Sequence, residues 1–354
     1  MKRLLVALFC FLSVAAHANE PAATTVEATD KEAFSPGEMI LHHIGDSHEW
    51  HFATIGDEAQ GKHLTIPLPV IAYRAGHGLS VFSSSQLAEG KVYDGLKLEH
   101  EHLESEDGSK VYDFSITKNV ASLMLSAVLL LLVFTAVARG YAKRGTGAPK
   151  GIQSFFEPVI VFIRDEVAKK SIGPKYERYM PYLLTVFFFI WFNNLMGLMP
   201  GGANLTGNIA VTLTLAVLTL LITLFSSNKN YWHHIFATPG VPKALLPIMI
   251  PVELIGIVVK PFSLMVRLFA NITAGHIVIL SFISLIFIFG SVGVAPVTLA
   301  FGLFINMLEL LVAILQAYIF TLLTAMYIGG AVEEHHDADY QMGGGDGADT
   351  AHTH

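Results

Sequence analysis

The chain is poor in two things, cysteine and charge. Its single cysteine, Cys10, lies in the first ten of 354 residues. That segment reads as a removable targeting peptide: Lys2-Arg3 is a charged start, Leu4 to Val14 a short apolar run, and Ala16-His17-Ala18 a small-x-small cleavage site. The mature chain is then expected to hold no thiol, which excludes disulfides and cysteine-based metal or catalytic sites. Charged residues are only 14% of the chain and hydrophobic ones 53%, a balance that points to a membrane protein. An inverted repeat of the kind that marks many secondary transporters is also lacking.

What charge there is lies unevenly. Residues 19–118 carry 7 Lys+Arg against 17 Asp+Glu, residues 119–330 carry 13 against 6, and the tail 331–354 adds only acids, net −6. Four segments are expected. They are a signal peptide at 1–18, an acidic, His-rich β-type domain at 19–118, a membrane domain at 119–330 and a disordered tail at 331–354. In the second of these, HLTIPLPVIAY, LSVFSSSQL, KVYDGLKLE and SKVYDFSI are short β-type runs bounded by Gly, Pro and Ser. Its histidines are read as solvated side chains, with zinc or copper binding at His48 and His51 or at His100 and His102 as the alternative, and no metal site is assigned.

The membrane domain opens with an apolar run from Val120 to Ala138, followed at once by Arg139, Lys143, Arg144 and Lys150. By the positive-inside rule that loop is cytoplasmic and the amino-terminal domain periplasmic. Residues 152–172 repeat apolar side chains at three and four, as an interfacial amphipathic helix does, and Pro158 is a possible kink. Further spans are expected at 179–199, 209–225 and 296–328. Residues 245–289 are too long for one upright span, so they either break near Pro261 or Gly275 or lie strongly tilted. The fold class expected is all-α and polytopic, with about five membrane helices, one interfacial amphipathic helix and a small β-rich extracytoplasmic domain.

Arg267 stands in the middle of that long apolar stretch. A cation at the bilayer centre costs at least ~3 kcal/mol, and Arg cannot shed its proton. It should therefore face a polar cavity or an opposite charge. Glu253, Lys260 and Arg267, spaced by seven, share one helical face, with Gly256, Ser263 and Asn271 beside it. A second stripe holds Gly302, Glu309 and Gln316 at the same spacing, with Asn306 beside it.

The run PVELIGIVVKPFSLMVRLFANITAGH (Pro251 to His276), with LELLVAILQAYIFTLLTAMYI (Leu308 to Ile328) and FIWFNNLMGLMP (Phe189 to Pro200), closely resembles subunit a of the rotary F-type ATP synthase. The resemblance covers roughly residues 119–335. It implies a non-catalytic stator subunit of the bacterial inner membrane, without cofactor. Two proton half-channels would face a rotating c-ring, with peripheral-stalk b subunits and lipids as neighbours and no nucleic acid. It implies that Arg267 opposes a carboxylate on each passing c subunit. The family commonly has Glu nine residues after the Arg and His seven before the Gln; here His276 and Glu309 stand there, with the types exchanged. The resemblance thus implies that His276 and Glu309 form a relay in the external half-channel, lined by Asn271 and Gln316, with Glu253 and Ser263 in the cytoplasmic one. Lys260 is expected to snorkel to the interface. Where some relatives carry an Asp in N-L-M-D-L-L-P, this chain has Gly197, so no carboxylate role transfers there; Asn193, Asn194 and Asn204 are further polar candidates. The alternative class is an independent cation or proton channel or a secondary transporter. The coupling ion is left open, with the proton favoured over sodium.

Overall fold

The computed structural model describes residues 45–55, 62–99, 102–144, 147–199, 202–203, 205–236, 245–289 and 295–333. The targeting peptide and nearly all of the tail lie outside these residues, as do His100 and Asn204.

Seven short strands come first: β1 (Glu49–Ile55), β2 (Lys62–Pro67), β3 (Pro69–Arg74), β4 (Gly78–Ser83), β5 (Leu96–Glu99), β6 (His102–Ser105) and β7 (Val111–Asp113). They pair antiparallel into three small sheets, β1-β2, β4-β3-β7 and β5-β6. Val70 and Ala72 of β3 bury against Leu87, Leu96 and Leu103, a core of five side chains. The β-type runs read from the sequence thus form strands, in pieces too small to make one continuous sheet.

A long helix, α1 (Lys118–Arg144), starts where those strands end. The first N–H groups of a helix have no partner within it. Here the backbone N–H of Lys118 donates to Ser47 O at 2.8 Å, and that of Asn119 to Asp46 Oδ1 at 3.0 Å. A carboxylate at this end also complements the helix dipole. The strand region is thereby tied to the first turn of α1.

The segment 152–172 is interrupted. Helix α2 (Ile152–Phe162) contains Pro158, passes into a π-helical turn (Ile163–Ala168) and resumes as α3 (Lys169–Ile172). Gly173, at φ 73°, then turns the chain into α4 (Tyr176–Gly197). The charged face carries Arg164–Asp165, Lys169–Asp165 and Lys170–Glu166 pairs. The apolar face joins an aromatic cluster, in which Phe156 and Phe188 lie 5.6 Å apart and Phe134 of α1 is 4.6 Å from Phe188.

Helices α5 (Ile209–Ser226), α6 (Lys229–Phe236), α7 (Leu246–Phe289) and α8 (Ala295–Val332) complete the chain. Among the described residues five segments are long and apolar enough to span a membrane. Helix α7 is continuous over 44 residues, with Pro251 and Pro261 inside it. It breaks at neither Pro261 nor Gly275, because packing against α5 and α8 holds it straight through. Its neighbour α8 also lies against α4. The carboxyl end of α8 is capped by Asn228, which donates its backbone N–H to Ala331 O and its side-chain amide to Val332 O, both at 2.9 Å.

Candidate functional site

The polar stripes of α7 and α8 face one another. Asn271 Nδ2 donates to Gln316 Oε1 at 2.9 Å, and Gln316 is buried. One turn beyond Asn271, His276 Nδ1 lies 3.4 Å from Glu309 Oε1. The two residues that the sequence placed as partners therefore meet.

The imidazole is surrounded by acceptors. Its Nε2 is 3.1 Å from Gly197 O at the end of α4, and its Nδ1 is 3.2 Å from Ile272 O, besides Glu309. Only a ring carrying both protons can donate on both sides. Glu309 is 6% exposed, and neither of its oxygens accepts a hydrogen bond among the described residues. Such a buried carboxylate is costly, so its site must be held open by the fold. Gly275 does this: a Cβ at that position would collide with the Glu309 carboxylate. The sequence raised Gly275 only as a possible helix break; its role is clearance.

Position 197 reaches the same cluster by a different atom. Gly197 offers no carboxylate, yet its backbone carbonyl faces His276. Nearby, Asn194 accepts from Thr206 Oγ1 at 2.7 Å and donates to Ala313 O at 3.2 Å, joining α4, the 205–207 turn and α8. Asn193 donates to Phe189 O within its own helix. No periodicity could have announced the Gly197 contact, since it uses a main-chain atom 79 residues away.

Arg267 sits two turns from His276 on α7 and is partly exposed. Among the described residues no carboxylate lies within 4.0 Å of it, the limit for an ion pair. Ser263, one turn earlier, is exposed.

Toward the start of α7 a cavity of about 730 Å³ opens between α5, α6, α7 and α8. Glu253, Lys260, Tyr231, His233, His234, Tyr327 and Glu333 are among its lining residues. Pro261 and Ile257 line it too. A proline nitrogen cannot donate, so the Ile257 carbonyl four residues back loses its helical partner beside this space. Lys260 is exposed here, and its Nζ stands 5.7 Å from the centre of the Tyr327 ring. The sequence had placed Glu253 here but not Tyr327 or the α6 histidines.

In the strand region the histidines are not uniformly solvated. His48 is buried, with Nε2 2.9 Å from Asp113 Oδ2. Asp113 also accepts the Ser115 backbone N–H at 2.8 Å. Burial alone would raise the Asp113 carboxyl, but the bonds from Ser115 and His48 outweigh it and hold it below the usual range. The solvated reading fails at His48 because its partner is 65 residues away and invisible to local pattern. Among the described residues no three His, Cys, Asp or Glu side chains converge as a metal site.

A family model described as ATP synthase A chain matches residues 120–329. A second, described as a domain of unknown function, matches residues 39–122. ATP synthase subunit a of Chlorobium phaeobacteroides strain BS1 is 50% identical over 311 residues, covering 86% of this chain and 78% of its own length. ATP synthase subunit a 2 of Chlorobaculum tepidum is 41% identical over 333 residues, covering 92% and 80%. ATP synthase subunit a of Chloroherpeton thalassium is 50% identical over 234 residues, covering 64% and 70%.

Proposed function

Because the chain belongs to the ATP synthase A chain family, and is thus a non-catalytic, proton-translocating subunit of that complex's membrane sector, we propose that Arg267 is the fixed cation against which a ring of c subunits turns. One observation carries this reading. A permanently charged guanidinium sits partway along a membrane helix, partly exposed, with no carboxylate of its own chain in ion-pair range among the described residues. Its counter-charge then comes from outside the described residues, on this reading from a c subunit. A c-subunit carboxylate in lipid stays protonated because desolvation disfavours the ionised form; opposite Arg267 the ionised form is favoured and the proton leaves. The same cation bars a direct proton leak between the two sides.

The remaining groups fall into two half-channels on either side of Arg267. His276 and Glu309 form the relay of the external one, with Asn271 and Gln316 lining the approach to Arg267. The acceptor-rich setting of His276 suits a group that takes a proton and passes it on. The cavity bearing Glu253, with Ser263 beyond it, is the cytoplasmic one. The loops rich in Lys and Arg support an α1 with its amino end in the periplasm and a tail in the cytoplasm. On this reading residues 1–18 are a signal peptide, 19–118 a periplasmic domain, 119–330 the channel domain and 331–354 the tail, and segment 152–172 lies along the cytoplasmic interface. The b subunits of the peripheral stalk and lipids are its other neighbours.

The test is ATP-driven proton pumping in membrane vesicles. Arg267→Ala should assemble and fail to pump. Arg267→Lys should also lose most activity, since it keeps the charge but not the planar fork. Near-normal pumping by the Ala variant overturns the assignment.

A further inference from the structure

The sheet β4-β3-β7 is apolar on both faces. Its inner face is the small core described above. On its outer face the pairing sets side chains in rows across three strands. Leu79 and Tyr112 lie directly opposite Tyr73, and Val81 lies opposite Ile71. Phe114 donates its backbone N–H to Ile71 O, which continues the row one step past the end of β7. Directly opposed residues of antiparallel strands point to the same face, so Tyr73, Leu79, Val81, Tyr112 and Phe114 form one patch around Ile71. All five are well exposed, Phe114 at 66% and Leu79 at 65%. The alternation of a water-facing strand is inverted. Asp113 and Ser115 turn inward, to His48 and to the backbone N–H of Ile71, and the aromatic residues turn out.

This patch is not free to drift. Ile116 donates to Pro69 O at 3.0 Å, and the first turn of α1 is bound to residues 46 and 47. Phe114 lies four residues before the start of α1 at Lys118. Fully extended, that is at most about 14 Å of chain. After Lys118 and Asn119, which are buried, exposed apolar side chains resume at Val120, Leu123 and Met124 of α1 itself. Tyrosine at such a level, with a lysine beside it, is what the headgroup layer favours; Lys110 Nζ stands 5.1 Å over the Tyr112 ring. A contiguous apolar face of this kind is rarely left to water.

We propose that the outer face of β4-β3-β7 rests in the lipid headgroup layer on the amino-terminal side of α1, so that the strand region is a membrane-surface domain and not a water-borne one. The occupant is the bilayer itself, because the patch ends four residues before a helix long and apolar enough to span a membrane and is held beside it by hydrogen bonds.

Depth can be read directly. Single cysteines replace Leu79, Val81 or Phe114 in a Cys10→Ser background, with Glu104→Cys, in the charged β5-β6 pair, as the aqueous reference. Each carries a nitroxide in the assembled complex in liposomes. Collision with oxygen, which concentrates in lipid, is compared with collision with a water-soluble nickel chelate. Labels at 79, 81 and 114 should favour oxygen and meet nickel severalfold less than the label at 104. Nickel access equal to that at 104 would leave the face in water and overturn the proposal. Low access to both reagents would mean a protein covers it, another subunit or a second copy, and would overturn it as well. If Phe114→Cys fails to assemble, the exposed positions 79 and 81 on the opposite strand carry the same test.

Discussion

Exchanging His276 and Glu309 for one another is the sharpest test of the relay. In the wild-type chain the two side chains approach to 3.4 Å, inside a cluster closed by Gly197 O and Ile272 O. Removing the imidazole strands a carboxylate that has no other polar neighbour in reach among the described residues. Removing the carboxylate leaves a ring facing two carbonyls and a hole. Each stranded group costs about 1–3 kcal/mol, or about 5- to 150-fold if the cost falls on proton transfer. His276→Ala and Glu309→Ala should therefore each slow passive proton flux by that order, measured in vesicles stripped of the catalytic head. The double variant His276→Glu with Glu309→His restores one acid and one imidazole in reversed order and should recover part of the loss. If it conducts no better than the worse single variant, the two residues are not one relay, and His276 is a structural histidine bonded to Gly197.

Gly275→Ala should reduce flux nearly as much as loss of Glu309, because the added methyl displaces the carboxylate without removing it; flux at the wild-type level would refute the clearance role. Asn228→Ala deletes one hydrogen bond to the end of α8 and should lower the thermal midpoint of the assembled protein by the equivalent of about 1 kcal/mol. The depressed carboxyl of Asp113 contributes stability above its unfolded value of about 4, and that stability is lost as pH falls through the lower folded value. Hydrogen exchange along β3 and β7 should accelerate on acidification, and Asp113→Asn should flatten this dependence. A reporter fused after Asn230 or Ala331 should be cytoplasmic and one at Gly202 or Gly293 external; an external tail would reverse the two half-channels.

The membrane site was legible where chemistry and spacing coincide. Arg267 stands out because a fixed charge in an apolar run demands a reason. Glu309 and Gln316 stand out because seven residues return to one face of a helix. What stayed hidden depends on contacts between distant segments or on main-chain atoms. The Gly197 carbonyl leaves no trace in residue type, and the His48–Asp113 pair spans most of the strand region. The unbroken α7 was ambiguous for a physical reason. Proline costs a helix roughly 3 kcal/mol, which marks a break in isolation, while packing against two neighbours offsets it along a helix of 44 residues. The need for glycine at 275 appears only once Glu309 is seen against it.

The length of α7 has a geometric consequence. Forty-four residues rise about 66 Å, while a bilayer with its headgroups is about 40–45 Å thick, so with its whole length inside the bilayer the helix leans by about 50°. From Glu253 to His276 the helix advances about 34 Å. At that inclination about 26 Å of the advance is sideways, around the circumference of whatever turns beside it. Entry and exit ports on such a helix cannot be stacked one above the other. On the proposed assignment, a proton that boards at one azimuth is carried round to leave at another.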